Sequence, residues 1–182
     1  FIFKKTKSKN NISNDIDKVI GLIDSSARPA VLIGSGVRSS SAINELKLFL
    51  ENTSIPTTFA SSAIDIFNTN NNLSIGSVGS MGCSRAGNFT VQNCDLLIVL
   101  GCRLSTITSG PDPKKFARDA KIVIIDIDPL EHSKNNVFID YLIISDLKNF
   151  LSKINEKTLK KTNDEWINKC LHWKNIFMTS EK

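Results

Sequence analysis

DLLIVLGCRL, residues 95 to 104, opens on a carboxylate, runs through an unbroken apolar stretch and closes on a glycine and an arginine; KIVIIDID, residues 121 to 128, repeats the pattern and closes on aspartates. A short apolar run bounded by polar punctuation is how a strand buried on both faces reads. Two such strands separated by a helix-length segment imply a right-handed crossover and hence a parallel pair. Parallel sheets hold ligands beyond the carboxyl ends of their strands. That edge is where Gly101, Arg103, Asp126 and Asp128 are expected.

Working outward, residues 1 to 14, rich in Lys, Asn and Ser, read as a solvated linker. Ile16, Val19, Ile20 and Ile23 fall on one face of a short helix. Arg28-Pro29 ends it, and residues 30 to 33 predict a first buried strand running into Gly34-Ser35-Gly36. The next helix is expected from about residue 40, with Ser39, Ser40 or Ser41 as N-cap and Ile43, Leu46, Phe49 and Leu50 facing inward. Residues 55 to 60 predict a second strand, and residues 61 to 77 an irregular excursion over the surface. Gly76, Gly79 and Gly82 punctuate a loop whose backbone can approach a ligand, and a short helix over residues 85 to 93 leads into the 95–104 strand.

Beyond that strand, residues 105 to 110 read as a loop, and Asp112-Pro113 as the cap and first turn of a helix carrying Phe116, Ala117 and Ala120. A last strand is expected within residues 137 to 144, followed by an amphipathic helix carrying Leu147, Phe150, Leu151 and Ile154. Trp166, Cys170, Trp173 and Phe177 form an apolar stripe on a terminal helix, and the remainder of a longer protein is its expected cover.

A chain of 182 residues that is 41% hydrophobic can bury one sizeable core, so one compact domain with attached segments is expected. No window has the roughly 18 apolar residues of a membrane span, and no signal-peptide pattern opens the chain, which begins at Phe1 as a fragment would. Cys83, Cys94, Cys102 and Cys170 show no metal-ligand spacing and read as free thiols in a reducing cytoplasm. The net charge of +5 sits in the flanks: residues 1 to 29 carry six basic and three acidic side chains, residues 30 to 145 nine and ten, and residues 146 to 182 eight and five. A nucleic-acid module would concentrate basic residues on its working face, so no nucleic-acid partner is expected.

Gly34-Ser35-Gly36 stands at a strand-to-helix turn, where it is either a purely structural turn or a cradle for a diphosphate. The dinucleotide fingerprint wants a third glycine where Ser39 stands and a carboxylate where the second strand ends in Ala60-Ser61-Ser62, so a standard NAD site is disfavoured. Arg103 can reach a phosphate, stack on a flat ring, or pair with a surface carboxylate. Asp126 can accept from a ribose or an adenine amine, while Asp128 before Pro129 initiates a turn. Cys102 beside Arg103 reads either as a lowered-pKa thiol or as a small core residue. His132 and His172 have no Ser or Cys arranged with them as a triad, so no hydrolytic centre is expected.

ARPAVLIGSGV, SIPTTFASS, GSVGSMGCSRAGNFTVQNCDLLIVLGCRL and FARDAKIVIIDIDPLEHSKN together resemble the central domain of thiamine-diphosphate-dependent enzymes of the acetolactate synthase type, in order and spacing, from about residue 27 to 146. The resemblance implies a Rossmann-like α/β fold, a six-stranded parallel sheet with helices on both faces. It divides the chain into a linker (1–14), a central nucleotide-binding-like domain (15–155) and a helical connector (156–182) to a diphosphate-binding domain outside the chain.

Flavin-containing members hold extended FAD in this domain; relatives without flavin keep it as a spacer or bind an adenine nucleotide there. Carried over residue by residue, Gly34, Ser35 and Gly36 would approach the diphosphate, and Ala60, Ser61, Ser80 and Met81 would line the flavin path. Gly101 and Arg103 would meet the cofactor, and Asp126, Ile127 and Asp146 would surround its adenosine end. The family's aspartate pair and second arginine are replaced here by Ser105, Thr106 and Ile107, and a common histidine by Met81, which removes polar partners of FAD.

The resemblance further implies thiamine diphosphate and magnesium bound by other domains of the parent enzyme. A small 2-oxo acid would be its substrate, and the parent would be a homo-oligomer. No G-D-G segment occurs in these residues, so the isolated chain is expected to carry no catalytic residue, metal site or carboligase activity of its own. The alternatives from other classes are a free-standing binder of FAD, NAD or an adenine nucleotide, and a catalytically silent relative.

Overall fold

The computed structural model describes residues 12–134 and 137–180, with the side chains of 178–180 left aside. Six strands form one sheet: β1 (Pro29–Ile33), β2 (Thr57–Ala60), β3 (Ser74–Val78), β4 (Leu96–Leu100), β5 (Lys121–Asp126) and β6 (Tyr141–Ile144). Their order is β3-β2-β1-β4-β5-β6 and every pairing is parallel. The order reverses between β1 and β4, the topological switch point of a doubly wound sheet.

Successive strand residues feed opposite cores because side chains alternate across a pleated strand. Val31, Ile33, Ile98, Leu100, Val123 and Ile125 pack with α1 (Ile12–Ser25), α3 (Ile43–Thr53) and α6 (Leu147–Asn155). Ala30, Leu32, Leu97, Val99, Ile122 and Ile124 pack with α4 (Arg85–Asn93) and α7 (Asp164–Ser180). The stretch Leu96–Leu100 is buried throughout, which is why it reads as an unbroken apolar run. Each such side chain contributes about 1.5–3 kcal/mol of burial free energy.

Several expectations are corrected. Residues 12 to 14, read as linker, begin α1, and residues 1 to 11 of that linker lie outside the described residues. The excursion over residues 61 to 77 contains β3, which the sequence reading misses, and it buries Ala63, Ile66 and Phe67 rather than running over the surface. β3 is a short edge strand whose register slips between Thr57 and Thr58 of its neighbour, so its apolar residues do not alternate.

The helix expected from about residue 40 is α3, which starts at Ile43 without a side-chain cap; a separate single turn, α2 (Gly36–Ser39), precedes it, with Ser41 at φ 55° between them. Ser39 and Ser40 donate their hydroxyls back to Ser35 O and Val37 O instead of capping. Residues 105 to 110, read as loop, hold the single turn α5 (Thr106–Ser109). Asp112 does cap its turn, accepting from Lys114 N, but only the 3-10 turn Pro113–Lys115 forms before Ala117, at φ 45°, ends it.

The terminal stripe is also corrected. Trp166 and Cys170 are buried in the second core of this same sheet, with Trp173 and Phe177 packed against it. Trp166 donates its indole N–H to Pro29 O at 2.8 Å, and Trp166 and Phe89 each meet Trp173 edge-on. α7 is the outer layer that α4 alone is too short to provide. Its burial is a property of the domain and carries no information about what lies beyond the chain.

Candidate nucleotide edge of the sheet

Because all six strands run the same way, every residue expected at the site falls at one edge. Gly34, Ser35 and Gly36 follow β1, and Ala60 ends β2 with Ser61 after it. Ser80 and Met81 follow β3, and Gly101 and Arg103 follow β4. Asp126 ends β5, Ile127 follows it, and Asp146 follows β6. The centre of this edge is knitted by backbone. Gly34 N donates to Leu100 O (2.9 Å), Gly36 N to Gly101 O (3.0 Å), Gly101 N to Ile125 O (3.0 Å) and Ser145 N to Asp126 O (2.9 Å).

The glycines at the switch point are explained first by this interlock. A Cβ on Gly36 would lie 2.7 Å from Gly101 Cα and 2.9 Å from Gly101 O, and Gly101 itself has φ 58°. The same interlock limits what the turn offers a phosphate. Among the described residues the Gly34 and Gly36 amides are spent on β4, and Val37 N donates to Gly34 O, which leaves Ser35 N as the one amide of the turn without an acceptor. Of the two readings of this turn, a diphosphate cradle would therefore rest on a single amide donor ahead of one helical turn.

Away from the centre, Ser80 is engaged with the loop after β4: its N–H donates to Ile107 O at 2.9 Å and its hydroxyl to the same oxygen at 3.3 Å. Met81 and Ile127 project into solvent, 84% and 68% exposed. Asp146 caps α6, accepting from Asn149 N at 2.9 Å. Arg103 is exposed and, among the described residues, forms no ion pair, so its reading as a surface-paired cation does not hold.

Asp126 is half-buried. Burial by itself would raise its carboxyl, but the His132 imidazole and the Asp128 and Ile127 amides outweigh that and hold it below the usual carboxylate range. It is therefore an ionised acceptor at neutral pH. Asp128 forms the expected turn, accepting from Leu130 N at 3.0 Å and Glu131 N at 3.4 Å. The turn brings back His132, a residue with no sequence signal for this place: its Nε2 lies 3.2 Å from Asp126 Oδ2, with its side chain 2% exposed. A histidine six residues past a strand end carries no spacing signal, so only the folded turn reveals it.

Cys102 is a core residue, its thiol pushed up by burial, and not a reactive centre. Burial likewise pushes the Cys170 thiol up to about 12. No group of side chains able to hold a metal ion occurs among the described residues, and no helix of theirs is long and apolar enough to cross a membrane.

The donor set fits a nucleotide. It has one unpaired guanidinium and one free amide for phosphate, one ionised carboxylate for hydroxyl groups, and exposed apolar side chains for flat rings.

Comparison with known proteins identifies the family of the fold. The model of the family described as "Thiamine pyrophosphate enzyme, central domain" matches residues 16–154. A probable acetolactate synthase large subunit of Methanocaldococcus jannaschii is 42% identical over 136 residues, 75% of this chain and 22% of that protein. The acetolactate synthase large subunits of Parasynechococcus marenigrum and Cyanidium caldarium are 32% and 33% identical over 87% and 91% of this chain, which spans 26% and 29% of theirs. The chain thus spans about a quarter of the length of these relatives.

Proposed function

The chain belongs to the family of thiamine pyrophosphate enzyme central domains, and from that premise we propose that it is the cofactor-holding middle domain of a thiamine-diphosphate-dependent carboligase or lyase of the acetolactate synthase type. In this reading thiamine diphosphate and magnesium are held by other domains of a homo-oligomeric parent, which acts on a small 2-oxo acid. Thiamine diphosphate supplies the electron sink for carbon-carbon chemistry next to a carbonyl. The residues here take no proton from the substrate.

What this chain contributes is a wall for a nucleotide-bearing cofactor. Arg103 and the Ser35 amide bind the diphosphate, Asp126 accepts from ribose hydroxyls, and Ile127 and Met81 cover the rings, with Gly34, Gly36 and Gly101 forming the interlocked backbone floor beneath the diphosphate. Ala60, Ser61, Ser80 and Asp146 border the same groove. FAD is the cofactor of first choice. An adenine nucleotide alone is the second, favoured by one observation: Ser80, on the flavin side, already spends its N–H and hydroxyl on Ile107 O.

The observation that carries the reading is an unpaired Arg103 and an ionised Asp126 on adjacent strand ends at the switch-point edge. The test is to incubate the purified chain with FAD, remove free flavin by gel filtration and record the absorbance spectrum, with ADP titrated separately by calorimetry. A retained flavin band, or ADP binding that Arg103→Ala weakens about tenfold or more, is expected, the size of a lost charge-assisted contact. Binding of neither compound overturns the cofactor role.

A further inference from the structure

The further inference rests on the reading of this edge as a nucleotide site. We propose that His132 is a positioning residue: it holds the Asp126 carboxylate toward the ribose hydroxyls of a bound nucleotide and keeps it from collapsing onto Arg103.

The geometry is that of a backstop. Asp126 Oδ1 accepts from Asp128 N at 3.1 Å, while Oδ2 faces His132 Nε2 at 3.2 Å. The imidazole is 2% exposed and the carboxylate 13%, so the ring is the more deeply buried of the two and the acid stays partly open to solvent. Nε2 is off the line of a hydrogen bond to Asp126 and has no other partner among the described residues. The contact therefore acts through packing of the ring against the carboxylate rather than through a directional bond.

His132 also lines a cleft together with Arg103, Leu104, Glu131, Lys134, Val137 and Ile139. Glu131 and Lys134 pair with each other at 2.7 Å, which leaves Arg103 as the cation of that cleft with no ion-pair partner among the described residues. Without the ring, the carboxylate can rotate into the vacated space and pair with the guanidinium. The two groups that the proposed site needs separate would then neutralise each other.

The test is calorimetric titration of the 182-residue chain with ADP, with 2′,3′-dideoxy-ADP and, in parallel, with FAD. The variants are His132→Leu, His132→Gln, Asp126→Asn and the Asp126→Asn/His132→Leu pair. His132→Leu is expected to weaken ADP about tenfold, and His132→Gln to recover part of the loss. His132→Leu should have no further effect in the Asp126→Asn background or on the dideoxy analogue, and FAD should show the same ratios. Unchanged ADP affinity in His132→Leu, or an equal loss with the dideoxy analogue or on top of Asp126→Asn, overturns the positioning role while leaving the nucleotide site standing. A wild-type chain that binds neither ADP nor FAD overturns both. Should His132→Leu fail to fold, the same comparison of ADP with its analogue in His132→Gln decides the matter.

Discussion

Asp95 opens β4 at the edge of the sheet opposite the proposed site, and its carboxylate gathers the chain entering β1. It accepts from Ala27 N and Arg28 N, both at 2.9 Å, and from the Ser26 hydroxyl. Burial alone would raise this carboxyl; the Ser26 hydroxyl and the two amides prevail and hold it below the usual range. A depressed folded-state value means the group stabilises the fold above its unfolded pKa of about 4, and that stabilisation is lost as pH falls through the lower folded value. Asp95→Ala strands three donors and is expected to cost about 2–3 kcal/mol, with Asp95→Asn costing less. Urea midpoints between pH 3 and 7 should show the wild type losing stability toward acid and Asp95→Asn losing less of it.

Gly36 makes a contrasting case at the same scale. Its missing Cβ would meet Gly101 backbone at 2.7 Å, whereas Gly82, with φ 64°, has nothing within 4 Å. Gly36→Ala must push two strand ends apart and is expected to cost more than about 3 kcal/mol, while Gly82→Ala bears only the left-handed backbone term of about 1 kcal/mol. Thermal melts of the two variants separate a clash from a conformational preference.

At the scale of elements, α7 sets the second core. Trp166 buries its ring and bonds Pro29 O, so Trp166→Ala is expected to cost about 3–5 kcal/mol, and Trp166→Phe less, chiefly through the lost indole donor. Chemical denaturation of both variants checks this, and a cost below about 1 kcal/mol for Trp166→Ala would mean that α7 does not close the core.

That stripe also shows where reading the sequence succeeds and fails. Trp166, Cys170, Trp173 and Phe177 announce an apolar face unambiguously, yet periodicity cannot say which surface covers it. The central strands are legible because burial on both faces forces continuous apolar runs; β3 is not, because an edge strand with a register slip need not keep either pattern. The strand-end positions of the site follow directly from parallel topology. His132 does not, since its place depends on the turn after β5, which only folding closes.

Across the whole molecule the polar groups divide by edge. At the amino edge carboxylates are spent internally: Asp95 on the residues before β1, and Asp140 on Ile122 N at 2.8 Å. At the carboxyl edge Arg103 and the Ser35 amide lack partners among the described residues, and the Asp126 side chain stays partly exposed. A fold that satisfies its polar groups internally at one edge and leaves some unspent at the other places stability and recognition on different residues.

Arg103→Ala should therefore shift unfolding by no more than about 0.5 kcal/mol, the usual range for an exposed side chain without a structural partner. Under the proposed function it should also abolish most of the affinity for FAD or ADP. Asp95→Ala should do the reverse, lowering the melting temperature while leaving nucleotide affinity per folded molecule unchanged. Measuring melting and calorimetric affinity on the same two preparations tests the separation, and coupled losses in both variants would mean that the two edges are not independent.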